Sequence, residues 1–146
     1  MKIVELDRNN INDIKSLWKG LNSYHYEVST HFKKNFKILT FEQQTQELMK
    51  KDKLRIFVAE SEDKHIGYCI FTVNNGQGEV DSIYIQAEYR NEKLGEQLMN
   101  KALERFKAHQ CNEVAIYIAE GNESVLPSYR KFGFFERFVV MQNKTT

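Results

Sequence analysis

Two groups of residues in this sequence have the types and spacing to do chemistry. The first lies in 79–98, Glu79-Val80-Asp81-Ser82-Ile83-Tyr84-Ile85 and onward, where a strand-like stretch runs directly into a helix start carrying Arg90 and Gly95. A strand feeding a helix in this way leaves unpaired backbone N–H groups at the positive end of the helix, which suits an anion such as a pyrophosphate. Within the strand, residues two apart share a face, so Glu79, Asp81, Ile83 and Ile85 are expected on one side, with two carboxylates pointing the same way. Such a pair can supply a general base; its other reading is the solvated polar edge of a strand. The second group is Asn122, Val125, Tyr129, Gly133 and Phe134, in the order N-x-x-small-x-x-x-Y-x-x-x-G-F.

These residues need elements to hold them. Val4 and Leu6 alternate with charged neighbours in 2–6, a first strand, after which Asn9 or Asn10 is placed to cap a helix. Ile11, Ile14, Leu17, Trp18 and Leu21 recur at helical spacing. Gly20 and the polar residues from Asn22 weaken that pattern and open a stretch of mixed character, 23–39, rich in Tyr, His, Phe and Lys. Thr40 with Gln43 forms a capping-box signature for a second helix whose face is Phe41, Thr45, Leu48 and Met49. From Leu54 the period falls to two or to continuous apolar runs, and 54–60, 65–73 and 79–85 read as strands. Asp63-Lys64 and the run from Asn74 to Gly78 carry turn chemistry, so the three form an antiparallel meander. Gly76 and Gly78 lie between two strands with no helix following, which makes them a hairpin turn and not a phosphate loop.

Leu94, Leu98, Met99, Ala102, Leu103 and Phe106 mark a long amphipathic helix ending near His109, followed by a buried-type strand, 113–119. Strand, helix and strand in this order suggest a local parallel pair. Residues 122–131 read as a short helix stopped by Gly133, and 134–141 as a last strand. The sum is an α/β sandwich with a mixed sheet. No repeat, low-complexity tract or long linker divides it, so one domain over 1–146 is expected.

Composition removes several classes of function. Lys and Arg number 21 against 20 Asp and Glu, a net charge of +1, without the basic excess of a dedicated nucleic-acid binder. Lys33-Lys34 and Lys50-Lys51 read as solvated surface. The 146 residues are 41% hydrophobic and 12% aromatic, ample for one core, and no stretch approaches a membrane span. The N-terminus has no basic region followed by an apolar run, so a cytoplasmic protein is expected. Cys69 and Cys111 are isolated in apolar segments, which indicates core thiols and neither a disulfide framework nor a zinc site.

Together the two motifs resemble the GNAT superfamily of N-acetyltransferases. The pyrophosphate loop of that family reads Arg or Gln, two residues, Gly, one residue, then Gly or Ala, and is matched here by Arg90-Asn91-Glu92-Lys93-Leu94-Gly95. The order of elements is similar over essentially the whole chain. The resemblance implies a mixed, mostly antiparallel sheet, flanked by helices on both faces and splayed between its fourth and fifth strands around an acetyl-CoA cleft. It places the pantetheine arm in the split, the pyrophosphate on the amides after Arg90, and cofactor contacts at Ile83, Tyr84, Ile85, Arg90, Asn91, Glu92, Lys93, Leu94, Gly95, Glu96, Asn122 and Tyr129. The backbone N–H of Ile83 or Ile85 would polarise the thioester carbonyl.

The resemblance also assigns roles. Tyr129 would protonate the departing coenzyme thiolate, its other reading being a packing tyrosine on an amphipathic helix. Asp81 would take the proton of the acceptor amine, with Glu79 the second choice. Tyr24, His25 and Tyr26, with His31, Phe32 and Phe36, fall where the acceptor-binding loop of the family lies, and aromatic faces attract cations. Two departures stand out. Lys93 replaces the middle glycine of the loop, and Pro127 lies inside the 122–131 helix, where it costs little if Ser124 caps that helix and leaves Asn122 free to touch the cofactor. The activity implied is metal-free, direct acetyl transfer from acetyl-CoA to a primary amine of a small molecule or peptide, without nucleic-acid or membrane partners and with homodimerisation open. The competing function is an acetyl-CoA-binding sensor or interaction module without turnover.

Overall fold

The computed structural model describes residues 1–144, apart from the side chains of Asn91 and Glu92. Its sheet is built from Lys2–Asp7 (β1), Lys53–Ser61 (β2), Lys64–Asn74 (β3), Gln77–Ile85 (β4) and Glu113–Ile116 (β5), in the spatial order of the sequence. β1 to β4 are antiparallel neighbours and β4 pairs with β5 in parallel. Five helices accompany them: Lys15–Val28 (α1), Lys33–Ile38 (α2), Phe41–Leu48 (α3), Leu94–Ala108 (α4) and Leu126–Lys131 (α5).

Alternation along β2 and β3 sends side chains into two cores. On one face Ile56, Val58, Tyr68 and Ile70 meet Leu17 and Trp18 of α1 and Phe41 and Leu48 of α3. On the other, Phe57, Cys69 and Phe71 meet Leu94, Leu98, Met99, Ala102 and Phe106 of α4. Burial of each large apolar side chain contributes about 1.5–3 kcal/mol, so the helices are held chiefly by these stripes. Helices cover both faces of a mostly antiparallel sheet, as expected.

Local signals fared unevenly. Both halves of the capping box are present, Gln43 N donating to Thr40 Oγ1 at 3.1 Å and Thr40 N to Gln43 Oε1 at 3.0 Å. The cap after β1 is Asp7, not Asn9 or Asn10: its carboxylate accepts from Asn9 N at 2.9 Å and opens a 3-10 turn, Arg8–Ile14, ahead of α1. α1 runs through Gly20 to Val28, so the first part of the 23–39 stretch is helix and α2 occupies much of the rest. Gly20 is there for packing: a Cβ at that position would lie 2.9 Å from Tyr84 Oη, so glycine lets α1 settle onto β4.

Two strand expectations need correction. β5 ends at Ile116 instead of continuing to residue 119. Residues 134–141 form no strand, and Phe135, Phe138, Val139, Val140 and Met141 are exposed. Their composition suits a strand, but a strand also needs an edge to bond to. The four-residue β5 offers little edge, and a space of about 1930 Å³ is lined both by Val114 and Ile116 and by Phe134 and Val140.

Candidate active site

The site is organised by an irregularity in β4. Ile70 pairs with Ser82 but Phe71 pairs with Val80, so Asp81 is the extra residue of a β-bulge. The bulge reverses the alternation. Ser82 turns to the α1 face, where its hydroxyl lies 2.6 Å from Tyr68 Oη, while Ile83 and Ile85 pack into the α4 core. The expectation that Glu79, Asp81, Ile83 and Ile85 share one face is therefore corrected: the two carboxylates go together and the two isoleucines go to the other side. Asp81 Oδ2 accepts from Thr72 Oγ1 at 2.7 Å, and Thr72 is also the cross-strand partner of Glu79. Burial pushes the Asp81 carboxyl up to about 8, with adjacent Glu79 acting the same way and the Thr72 hydrogen bond and Lys51 charge opposing it.

Pairing of β4 with β5 ends at Val80 opposite Ile116, one residue before the bulge. Beyond it, residues 81–85 of β4 have no β5 partner on that edge, so main-chain groups face the split. A cavity of about 240 Å³ opens there, lined by Asp81 and Ser82 on one strand, Tyr117 and Ile118 after the other, and Trp18 and His25 of α1. Burial holds the His25 imidazole below its ordinary pKa. Of the six residues expected around an acceptor, His25 and Phe36 line this cavity, whereas His31 and Phe32 line the larger space. The Tyr24 ring lies 5.8 Å from the Arg90 guanidinium, and the Tyr26 ring 4.9 Å from Lys33 Nζ.

The start of α4 carries the other half of the site. Lys93 stands at the N-cap with φ 59° and ψ 22°, left-handed backbone that the glycine of the resembled motif adopts without strain. Gln97 N donates to Lys93 O, which leaves the amides of Leu94, Gly95 and Glu96 without helical acceptors. Leu94 is buried in the core while Lys93 and Glu96 are exposed. A Cβ at Gly95 would meet no protein atom within 4 Å, and Gly95 is not among the glycines with positive φ. Nothing in the chain itself requires glycine at this place. The Arg90 side chain is tied down: Nε donates to Ile85 O at 2.9 Å, and the guanidinium lies 5.6 Å from the Tyr84 ring. The side chains of Asn91 and Glu92, also expected at the cofactor, lie outside what is described.

The strain at Lys93 gives a direct expectation. Lys93→Gly should relieve about 1 kcal/mol of left-handed backbone strain and raise the midpoint of thermal unfolding by a few degrees. A lower midpoint would mean that contacts of the lysine side chain outweigh the strain.

Asn122 stands at the N-cap of a 3-10 turn, Glu123–Val125, but its side chain makes no capping hydrogen bond, and its Oδ1 is buried without a partner. Pro127 sits in the first turn of α5, where its missing N–H costs nothing, and the N-cap of α5 is Val125, not Ser124. Tyr129 packs against the α4 core, edge-on to Phe134, and burial pushes its phenol up to about 12. It lines the larger space and Asp81 the smaller cavity.

One organising residue escaped the sequence reading. The Glu120 carboxylate accepts from Ser29 Oγ at 2.6 Å, Thr30 N at 2.9 Å and His31 N at 3.1 Å, and these bonds hold it down to about 2. Gly121, at φ 96°, lies against Val28 O, where no side chain fits. The pair fastens the end of α1 to the chain leaving β5. Its partners are about ninety positions away in sequence, so no local signal marks it.

Residues 15–134 match the model of the acetyltransferase (GNAT) family. An uncharacterized N-acetyltransferase of Methanocaldococcus jannaschii is 25% identical over 130 residues, 84% of this chain and 54% of that protein. A candidate ribosomal protein bS18-alanine N-acetyltransferase of Bacillus subtilis is 28% identical over 87 residues, 60% of this chain and 58% of that protein. The chain thus spans little more than half the length of either curated relative. Among solved structures, a mutant of the BH1408 protein from Bacillus halodurans superposes with a TM-score of 0.74 at 15% identity, covering 100% of both chains, which shows a shared fold.

Proposed function

Because this chain belongs to the acetyltransferase (GNAT) family, we propose that it is a single N-acetyltransferase domain moving an acetyl group from acetyl-CoA directly to a primary amine of a small molecule or peptide. Acetyl-CoA is the co-substrate of the family and supplies the activated acyl group as a thioester. The observation that carries the reading is the coincidence, at one point of β4, of the bulge, the end of pairing to β5 and the Asp81 carboxyl.

In this reading the residues divide the work. The amides of Leu94, Gly95 and Glu96 hold the pyrophosphate at the positive end of α4, and the open space over Gly95 admits it. The unpartnered Asn122 Oδ1 accepts a hydrogen bond from the pantetheine amides. The unpaired edge of β4 at Ile83 and Ile85 supplies a backbone N–H to polarise the thioester carbonyl. Asp81 takes the ammonium proton, its raised pKa bringing it nearer that of an amine. Tyr129 returns a proton to the departing sulfur.

Thiol release on mixing the protein with acetyl-CoA and an amine panel tests the reaction. Acetyl-CoA binding without thiol release for any amine would leave only a binding module. Gly95→Trp tests the cofactor site. A Cβ at this position meets no protein atom within 4 Å, so a side chain has room to leave the helix start, and acetyl-CoA affinity should fall by about tenfold or more because bulk blocks the approach to the amides. Unchanged affinity by calorimetry in a folded variant would remove the pyrophosphate from this helix start.

A further inference from the structure

The smaller cavity limits what amine can enter. Its volume is about 240 Å³. Trp18 and Leu21 from α1, Phe36 from α2 and Leu39 after it give it apolar and aromatic walls, with Gln44 of α3 adding an uncharged amide. Asp81 is the one carboxylate among the described lining residues, and it sits at the split. Asn22, a second polar residue that α1 contributes beside His25, has its amide already committed to Phe36 O at 2.8 Å.

We propose that the acceptor is a small monoamine with an aromatic or branched apolar body, an arylalkylamine in chemical class, its nitrogen at Asp81 and its body among Trp18, Phe36 and Leu39. The inference rests on the acetyl-transfer reading and narrows it. A hydroxyl-rich, multiply charged acceptor of aminoglycoside type would set its polar groups against Trp18, Leu21, Phe36 and Leu39. A polyamine would push a second ammonium against apolar walls with no carboxylate to meet it, a costly desolvation. A peptide would have to carry a second residue and its polar main chain past the first. Burial lowers the His25 pKa from its ordinary value and so disfavours a charge that would repel the ammonium.

Trp18 is the only tryptophan of the chain, so its emission reports the cavity independently of turnover. The experiment compares 2-phenylethylamine, spermidine and an alanine-initiated hexapeptide, first by titration of Trp18 fluorescence in the CoA-loaded protein, then by thiol release with acetyl-CoA. The expected result is a saturable fluorescence change with 2-phenylethylamine and kcat/KM for it about tenfold or more above the other two. Phe36→Ala should shift preference toward a naphthylethylamine by a similar factor. A fluorescence change with the arylalkylamine but no thiol release would support the acceptor class while defeating acetyl transfer. Faster turnover of spermidine or the peptide, or no fluorescence response to the arylalkylamine, would overturn the acceptor class while leaving transfer standing.

Discussion

Asp81→Asn is expected to slow acetyl transfer by about 10²–10⁴-fold at neutral pH, the usual loss for a missing general base. Wild-type turnover should rise as pH increases through about 8, where the carboxyl becomes the ionised acceptor. The variant should lack that inflection and recover only at higher pH, as the free amine deprotonates in solution. Turnover within a few-fold of wild type would transfer the role to Glu79 or to water.

The same substitution should stabilise the fold in alkali. The folded-state pKa of Asp81 is raised above its ordinary 3.8, so the native protein binds this proton more tightly than the unfolded chain. The stabilisation is complete below the unfolded value, declines as pH rises, and is gone above about 8, where a buried charge remains. An asparagine accepts the Thr72 hydroxyl as the carboxylate does and never ionises. The variant should therefore melt above wild type, by a margin that widens from about pH 4 to about pH 8 and then levels. The gain in alkaline stability follows from burial alone and the loss of activity from the role as base, so a buried Asp81 outside the chemistry would show the first without the second.

The second large effect is expected at Tyr129. Its phenol, raised to about 12 by burial, stays protonated through the working pH range, so the proton is present to donate although the group is a weaker acid than a free phenol. A coenzyme thiolate, with a parent pKa of about 8.5, leaves without help, only more slowly. Tyr129→Phe keeps the ring against the α4 core and Phe134 while removing one hydroxyl. Acetyl-CoA affinity should stay within a few-fold and turnover fall by about ten- to a thousand-fold. Normal turnover on the best acceptor would make Tyr129 a packing residue, with the proton reaching sulfur from water or from the ammonium.

The sequence by itself determined whatever is written in neighbouring residues. The periodicity of Leu94, Leu98, Met99 and Ala102 encodes α4, because residues three and four apart must share a helix face. The Thr40–Gln43 box marks the start of α3 for the same local reason, since both hydrogen bonds close within one turn. Arg90 to Gly95 was legible as the approach to a helix start, because the free amides of Leu94, Gly95 and Glu96 follow from the helix beginning there. Lys93 marks the limit of that reading: the sequence showed a missing glycine, and only the backbone showed a left-handed residue that a lysine occupies under strain.

Tertiary structure decided everything that depends on a distant partner. The bulge at Asp81 is a mismatch between two strands, so alternation within β4 alone put Ile83 and Ile85 on the wrong face. The split follows from where β5 stops, which the apolar run 113–119 overstates. The raised Asp81 carboxyl depends on burial by packed neighbours, and Glu120 on amides about ninety residues away. The apolar residues 134–141 had the composition of a strand, but a strand is a pairing between two segments, and no single segment specifies that its partner edge will be there.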